Sequence, residues 1–164
     1  MLVLGIDPGT ATTGYGLVRQ IGNHLECIAY GTIQTAVGQP LCERLLKIYR
    51  DLQQLLQLHQ PEGVAVEELF FSRNIRTAMA VGQARGVILL SAANAGLPVA
   101  EYTPLQVKQA VVGYGRAEKR QVQEMVRVLL ALKGIPRPDD AADALAVAIC
   151  HLHSYRLKRE VQES

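Results

Sequence analysis

Acidic residues end two apolar runs of the chain and point to hydrolytic chemistry. Asp7 follows residues 2–6, and Glu67 and Glu68 follow residues 63–66; both runs are typical of buried strands. A carboxylate at the end of a core strand must be hydrogen-bonded, paired with a cation or bound to a metal. Asp7 could instead cap the Pro-Gly turn behind it. Side chains alternate along a strand, so only Glu67 or Glu68 can share the face of Asp7.

Two more acids, Asp140 and Asp143, lie three residues apart in DDAADALAVAICHLH. The Pro-rich approach and the acids of the first turn are typical of a helix N-terminus, where the helix dipole favours negative charge. Residues three apart share one helix face. Asp139 is expected to be the N-cap, and this leaves Asp140 and Asp143 for another purpose.

Four carboxylates brought together would repel and raise one another's pKa unless a cation intervened. Oxygen ligands without His or Cys select a hard ion, Mg²⁺ or Mn²⁺. Two such ions would activate a water molecule and stabilise the leaving oxygen of a phosphodiester. The acids therefore predict a metal-dependent nuclease site.

Aromatic and basic residues follow the second acidic strand end. Phe70 and Phe71 are the two phenylalanines of the chain, and Arg73 and Arg76 come soon after them. Phenylalanines usually pack in a core, but here they could supply a surface on which an unpaired base stacks. The helix expected next, residues 74–95, is rich in small residues that would let the sheet or a second subunit come close.

A second basic segment spans residues 108–133, with two glutamates against six cations. Gly113, Tyr114 and Gly115 divide it into a short helix, a loop and a longer helix. Such a segment is either a solvated helix face or a contact surface for nucleic acid. Its basic residues are Lys108, Arg116, Lys119, Arg120, Arg127 and Lys133.

The elements that must position these residues alternate in a recognisable way. The first 35 residues predict an antiparallel three-stranded meander, with a hairpin turn at Gly22 and Asn23. Helix and strand patterns then alternate, with helices at 41–58 and 74–95 and strands at 63–69 and 97–102. This order predicts an α/β fold with a five-stranded mixed sheet and helices on both faces.

Composition sets further limits. We expect one domain over residues 1–155 and a charged, frayed tail over 156–164. The net charge is only +2, so a nucleic-acid partner must be argued from local charge. Cys27, Cys42 and Cys150 form no CxxC pair and are expected to be buried thiols of a reducing compartment. No signal peptide or membrane span is evident, and a cytoplasmic location is expected.

The Gly-rich stretch from Gly9 to Gly16 is not a nucleotide-binding P-loop. Gly9 and Gly14 have the required spacing, but Tyr15 and Gly16 stand where Lys and Ser or Thr are needed. The stretch is predicted to be a plain hairpin.

Five motifs together resemble the RuvC family, the bacterial Holliday junction endonucleases of the ribonuclease H-like superfamily. The resemblance implies that Asp7, Glu67, Asp140 and Asp143 are the catalytic metal ligands, and so selects Glu67 over Glu68. It also implies that Lys119 acts in catalysis beside the scissile phosphate. The motifs are GIDPGT at 5–10, VAVEELFF at 64–71, GQARGV at 82–87, QVKQAVVGYGRAEKRQV at 106–122 and DAADALAVAI at 140–149.

The family resemblance implies further expectations about DNA and partners. Lys108 would contact the DNA backbone, and Phe70 would stack on bases near the junction centre. A homodimer would nick two strands of like polarity in a four-way junction, with two Mg²⁺ per subunit that Mn²⁺ can replace. The ends would be a 5′-phosphate and a 3′-hydroxyl, and the RuvA and RuvB branch-migration proteins would be partners in recombination and repair. Further candidate DNA contacts are Arg73, Arg76, Tyr114, Arg116 and Arg120.

Three alternatives stay open from sequence. A YqgF-type nuclease acting on RNA would share Asp7 but should lack the basic segment at 113–120. An actin-like ATP-binding domain would need a second domain to close over nucleotide. A junction-binding module without catalysis would have no need of four intact acids.

Overall fold

The computed structural model describes residues 1–68 and 74–162. Five strands form one sheet in the order β3-β2-β1-β4-β5. The first three strands pair antiparallel, and β1, β4 and β5 run parallel, so the predicted mixed sheet is confirmed. The strands are β1 (Leu2–Asp7), β2 (Thr12–Ile21), β3 (His24–Gln34), β4 (Gly63–Glu67) and β5 (Val99–Tyr102).

The β2–β3 hairpin turns where the sequence predicts. Gly22 has a φ of +58°, a conformation that glycine adopts without steric cost. β2 begins at Thr12, inside the Gly-rich stretch, and Thr12 pairs with Gln34 at the far end of the ladder. Only residues 8–11 therefore connect β1 to β2, and the rest of the Gly-rich stretch belongs to β2.

Helices cover both faces of the sheet, and strand alternation decides which core each residue enters. Leu4 and Ile6 pack with the first two helices. Val3 and Ala65 pack with the last three. The helices are α1 (Leu41–His59), α2 (Ile75–Asn94), α3 (Pro104–Val112), α4 (Lys119–Leu129) and α5 (Asp139–Gln162).

Three expectations about side chains and boundaries differ from the structure. Asp139 is the first residue of α5 and not its N-cap, since the Ala141 amide donates to the Pro138 carbonyl. The helical backbone of α5 continues to Gln162, past the expected boundary at residue 155. Cys150 is buried, but Cys42 is exposed.

Within the described ranges, none of the helices has the length and hydropathy of a membrane span.

Glycines form the surface on which α5 lies. Gly5 pairs with Gly16 across β1 and β2, and Asp7 pairs with Gly14. A Cβ atom on Gly5 would lie 2.2 Å from the Ala144 carbonyl oxygen of α5. A Cβ on Gly14 would lie 2.0 Å from the carbonyl oxygen of Asp140, and one on Gly16 would lie 2.7 Å from Leu145. We call Gly5, Gly14 and Gly16 the glycine seat.

Substitution of the glycine seat should therefore destabilise the fold. We expect Gly5→Ala to lower the free energy of unfolding by about 2 kcal/mol or more, because its methyl group overlaps the α5 backbone, which cannot shift as a side chain can. Urea unfolding measures the change. Gly134→Ala is the control, since a Cβ there meets no atom within 4 Å; equal stability of the two variants would contradict the close packing.

Candidate active site

Two strand ends place Asp7 and Glu67 side by side. Ile6 pairs with Val66 in the parallel ladder of β1 and β4, so the residue after each of them lies at the same edge of the sheet. Glu67 has the same strand parity as Ala65, which packs on the α5 side. Glu68 follows the end of β4, and its backbone amide donates to the Tyr102 carbonyl at 2.8 Å. The structure thus brings Glu67, and not Glu68, to Asp7.

The Asp7 carboxyl group is strongly perturbed. Burial, together with the negative charges of Glu67, Asp143 and Asp140, raises its pKa to about 9. Burial also raises the pKa of Glu67, although the hydrogen bond from Asp7 acts to lower it. Within the pair, the Asp7 carboxyl group donates a hydrogen bond to Glu67.

The first turn of α5 brings further acids to this edge, held by a lysine. Burial raises the pKa of Asp143 and outweighs the attraction of Lys119. Lys119 Nζ lies 3.5 Å from Asp143 Oδ2 and 3.3 Å from Asp139 Oδ2. Burial acts to lower the pKa of Lys119, but Asp143 and Asp139 raise it overall. Lys119 is thus a fixed cation at the acidic cluster.

Asp139 is a member of this site that the sequence does not reveal. Its carboxylate accepts hydrogen bonds from Arg137 at 2.6 Å and from Gln123 at 3.2 Å. The hydrogen bond from Lys119 lowers its pKa. From sequence, a helix-capping role explains an Asp at this position equally well. No sequence signal therefore predicts the ion pair of Asp139 with Lys119.

Two of the four acids bond to each other in this structure, and a third is paired with a lysine. Across the described parts of the chain, no three His, Cys, Asp or Glu side chains converge as the ligands of one ion. Asp7 is hydrogen-bonded to Glu67, and Asp143 is paired with Lys119. A cation bound by the whole cluster would have to replace Lys119 as the partner of Asp143.

A cavity of about 210 Å³ opens beside the acids. Glu67 and Asp143 line it together with Lys108 of α3 and Lys119 of α4. The Lys108 charge acts to lower the pKa of Glu67. The cavity therefore combines acidic and basic groups at one place, as a phosphate-cleaving site requires.

The other predicted contact residues are more scattered. Arg116 and Arg120 are exposed on either side of Lys119. Tyr114 is exposed, and its hydroxyl donates to Gln121 at 2.9 Å. Arg76 lies near the start of α2, in a separate groove beside Asp140. The predictions for Phe70, Phe71 and Arg73 fall outside the described residues.

Comparison with known proteins gives consistent relatives. The sequence profile of the family described as "Crossover junction endodeoxyribonuclease RuvC" matches residues 3–151. A protein of that name from Syntrophomonas wolfei is 63% identical over 164 residues, which cover 100% of this chain and 95% of the relative. One from Desulfitobacterium hafniense is 61% identical over 157 residues, which cover 96% of this chain and 95% of the relative.

A solved structure shares the whole fold. The structure described as "T. thermophilus RuvC in complex with Holliday junction substrate" superposes with a TM-score of 0.92 at 42% identity, and 96% of each chain is covered. The predicted ribonuclease H-like fold and the predicted family are both confirmed. This chain belongs to the RuvC family of crossover junction endodeoxyribonucleases.

Proposed function

We propose that this chain resolves four-way DNA junctions by metal-dependent nicking of two strands of like polarity. The observation that carries the proposal is the convergence of four acids at one sheet edge: Asp7 is hydrogen-bonded to Glu67, and Asp140 and Asp143 are close enough to raise its pKa. The Thermus thermophilus relative, whose structure holds a Holliday junction, supports the choice of substrate.

The donor set fits hard divalent cations. Its four acids offer only oxygen ligands, which suit Mg²⁺ and Mn²⁺. Burial and mutual repulsion hold a proton on Asp7 at neutral pH, and a bound cation would favour the ionised form instead. We propose two Mg²⁺ per subunit, held by Asp7, Glu67, Asp140 and Asp143, with Mn²⁺ as a substitute.

The residues would divide the work of phosphodiester hydrolysis. Ions held by these acids supply water activation and neutralise charge at the leaving 3′-oxygen. Asp7 interacts with Glu67 and with both α5 acids, so it would hold a cation together with any of them. Lys119 would turn from Asp143 to the phosphoryl oxygens and balance the charge that develops there. The products would be a 5′-phosphate and a 3′-hydroxyl.

A face of α2 supports the proposed homodimer. Ile75, Met79 and Leu90 are 74%, 60% and 61% exposed, and with Gly82 and Gly86 they recur at spacings of three and four residues, so they form one apolar stripe. A Cβ on Gly86 would meet no atom within 4 Å, so another helix could approach closely. An isologous contact here would pair two active sites on a two-fold junction.

Other parts of the proposal depend on the family resemblance. They are the partnership with RuvA and RuvB, the role in recombination and repair, the cytoplasmic location and base stacking by Phe70. DNA contact is also proposed for residues of the two basic segments, one of which follows Glu67 and the other of which places Lys108 in the acidic cavity. They are Arg73, Arg76, Lys108, Tyr114, Arg116 and Arg120.

Cleavage of defined substrates tests the function. With Mg²⁺ the protein should nick a mobile four-way DNA junction in symmetric pairs and leave a matched linear DNA duplex and an RNA duplex intact. Asp7→Asn should lower the rate by at least about 10³-fold, because it removes a carboxylate that would hold the cations, and should keep junction affinity within a few-fold. Cutting of RNA, or full activity of Asp7→Asn, would overturn the proposal.

The pKa of Asp7 predicts how stability depends on pH. Its folded value, about 9, lies above the ordinary 3.8, so the native state binds a proton that the unfolded state releases between these values. The stability of the metal-free protein should therefore fall as pH rises from about 4 to 9. Asp7→Asn should flatten this slope and be about 1–2 kcal/mol more stable at pH 8. Thermal unfolding in chelator measures both.

Metal binding should reverse this penalty without any need for catalysis. At pH 8, millimolar Mg²⁺ should raise the melting temperature of the wild-type protein, because an ion that binds only the native state stabilises it. Asp7→Asn should show a much smaller shift. Equal Mg²⁺ shifts in the two proteins would contradict the assignment of Asp7 as a ligand.

The apolar stripe of α2 predicts the effect of a surface charge. Leu90→Glu should convert the dimer to a monomer in sedimentation velocity, since the proposed contact would bury an unpaired glutamate from each copy. Paired nicks should give way to single ones. Leu58→Glu is the control, because Leu58 is 75% exposed on α1 and outside the stripe; a dimeric Leu90→Glu variant would exclude this face.

A further inference from the structure

A second hollow lies beside the catalytic acids. It has a volume of about 570 Å³ and is lined by residues 9–12, by Arg44 of α1 and by Arg76 of α2. Asp140 belongs to its wall, whereas Glu67 and Asp143 line the cavity with Lys108 and Lys119. The two hollows share no lining residue, so the four-acid cluster lies at the border between them. We call this second hollow the Arg44 groove.

Arg44 is held in place by a chain of hydrogen bonds. Its Nε donates to Thr35 Oγ1 at 2.8 Å, and that hydroxyl donates to the Thr10 carbonyl at 2.6 Å. The Thr10 hydroxyl in turn donates to the Ala80 carbonyl at 2.7 Å. Thr10 and Thr35 are each 8% exposed. The arginine is thus anchored to the loop behind Asp7 and to α2 before any ligand arrives.

The anchor leaves the outer part of the guanidinium available. Within residues 1–68 and 74–162, the structure gives Arg44 no ion pair, and the one hydrogen bond of its side chain uses Nε. The two terminal nitrogens therefore keep their donors for a ligand. A planar, permanently charged fork of this kind matches the oxygens of a phosphate.

The position of the Arg44 groove beside the catalytic acids indicates which part of the DNA it would bind. A strand whose scissile phosphate lies at the acids must continue to both sides of them. On one side Lys108 and Lys119 line the smaller cavity. On the other side, the described residues that line the Arg44 groove include two cations, Arg44 and Arg76, and one acid, Asp140. The backbone of the cut strand would meet a cation on each side.

We propose that Arg44 binds a backbone phosphate of the strand being cut, one to three nucleotides from the scissile phosphate. This inference depends on the proposed function, because it takes the cut strand to lie across Asp7 and Asp140. It assigns Arg44 to the positioning of the strand, and it leaves the chemistry to the four acids and Lys119.

Junction binding in chelator tests the contact without cleavage. Arg44→Gln keeps a donor for Thr35 but removes the charge. It should weaken junction affinity roughly tenfold at moderate salt and lower the slope of log K against log salt by about one per bound protomer. Arg50→Gln is the matched control, since Arg50 is exposed on the same helix and does not line the groove; it should change neither value.

Neutral methylphosphonates placed singly along the cut strand locate the phosphate. Wild-type protein should lose affinity at one or two positions beside the cut, and Arg44→Gln should be insensitive at those same positions. A merely structural role would lower the melting temperature and leave the position pattern and the salt slope unchanged. That result would overturn the inference while junction cleavage by the wild-type protein still supported the proposed function; absence of that cleavage would count against the function itself.

Discussion

The active site depends on how closely one helix approaches two strands. Gly5, Gly14 and Gly16 remove the side chains that would separate α5 from β1 and β2, and backbone atoms of α5 come within 2.0–2.2 Å of where Cβ atoms on Gly14 and Gly5 would lie. Asp7 pairs with Gly14 in the ladder, so the helix start that carries Asp140 lies directly over the strand end that carries Asp7. The close approach that these glycines allow thus brings the α5 acids near enough to raise the pKa of Asp7.

The same packing creates charge repulsion that the fold must tolerate. Asp7 holds a proton because burial and three neighbouring acids raise its pKa to about 9, and Lys119 stands against Asp143 and Asp139. Both arrangements reduce the repulsion while no divalent cation is bound. Charge repulsion that lowers the stability of the fold is typical of ligand-binding sites. The acids therefore repel one another in a way that a bound divalent cation would relieve.

Much of this arrangement could be predicted from short-range rules. Buried runs that end in acid located Asp7 and the Glu67–Glu68 pair, and the order of elements gave the mixed sheet. The choice of Glu67 required the family resemblance, because periodicity alone cannot fix which face a strand end presents. Strand parity against Ala65 supplies that information in the structure.

Contacts between residues far apart in the chain could not be predicted from the sequence. From sequence, Asp139 is expected to cap the helix, because an Asp at a helix start can serve as a cap or as a partner in an ion pair. Only the fold shows that Lys119 Nζ lies 3.3 Å from Asp139 Oδ2. Arg44 occupies the polar side of an amphipathic helix, where a basic residue is ordinary. Its link to Thr35 spans two elements.

The most direct test is anomalous diffraction from crystals soaked in Mn²⁺. The account predicts density bounded by Asp7, Glu67 and an α5 acid, with Lys119 displaced from Asp143; at saturating Mn²⁺, density elsewhere or an unchanged Lys119–Asp143 pair would contradict it.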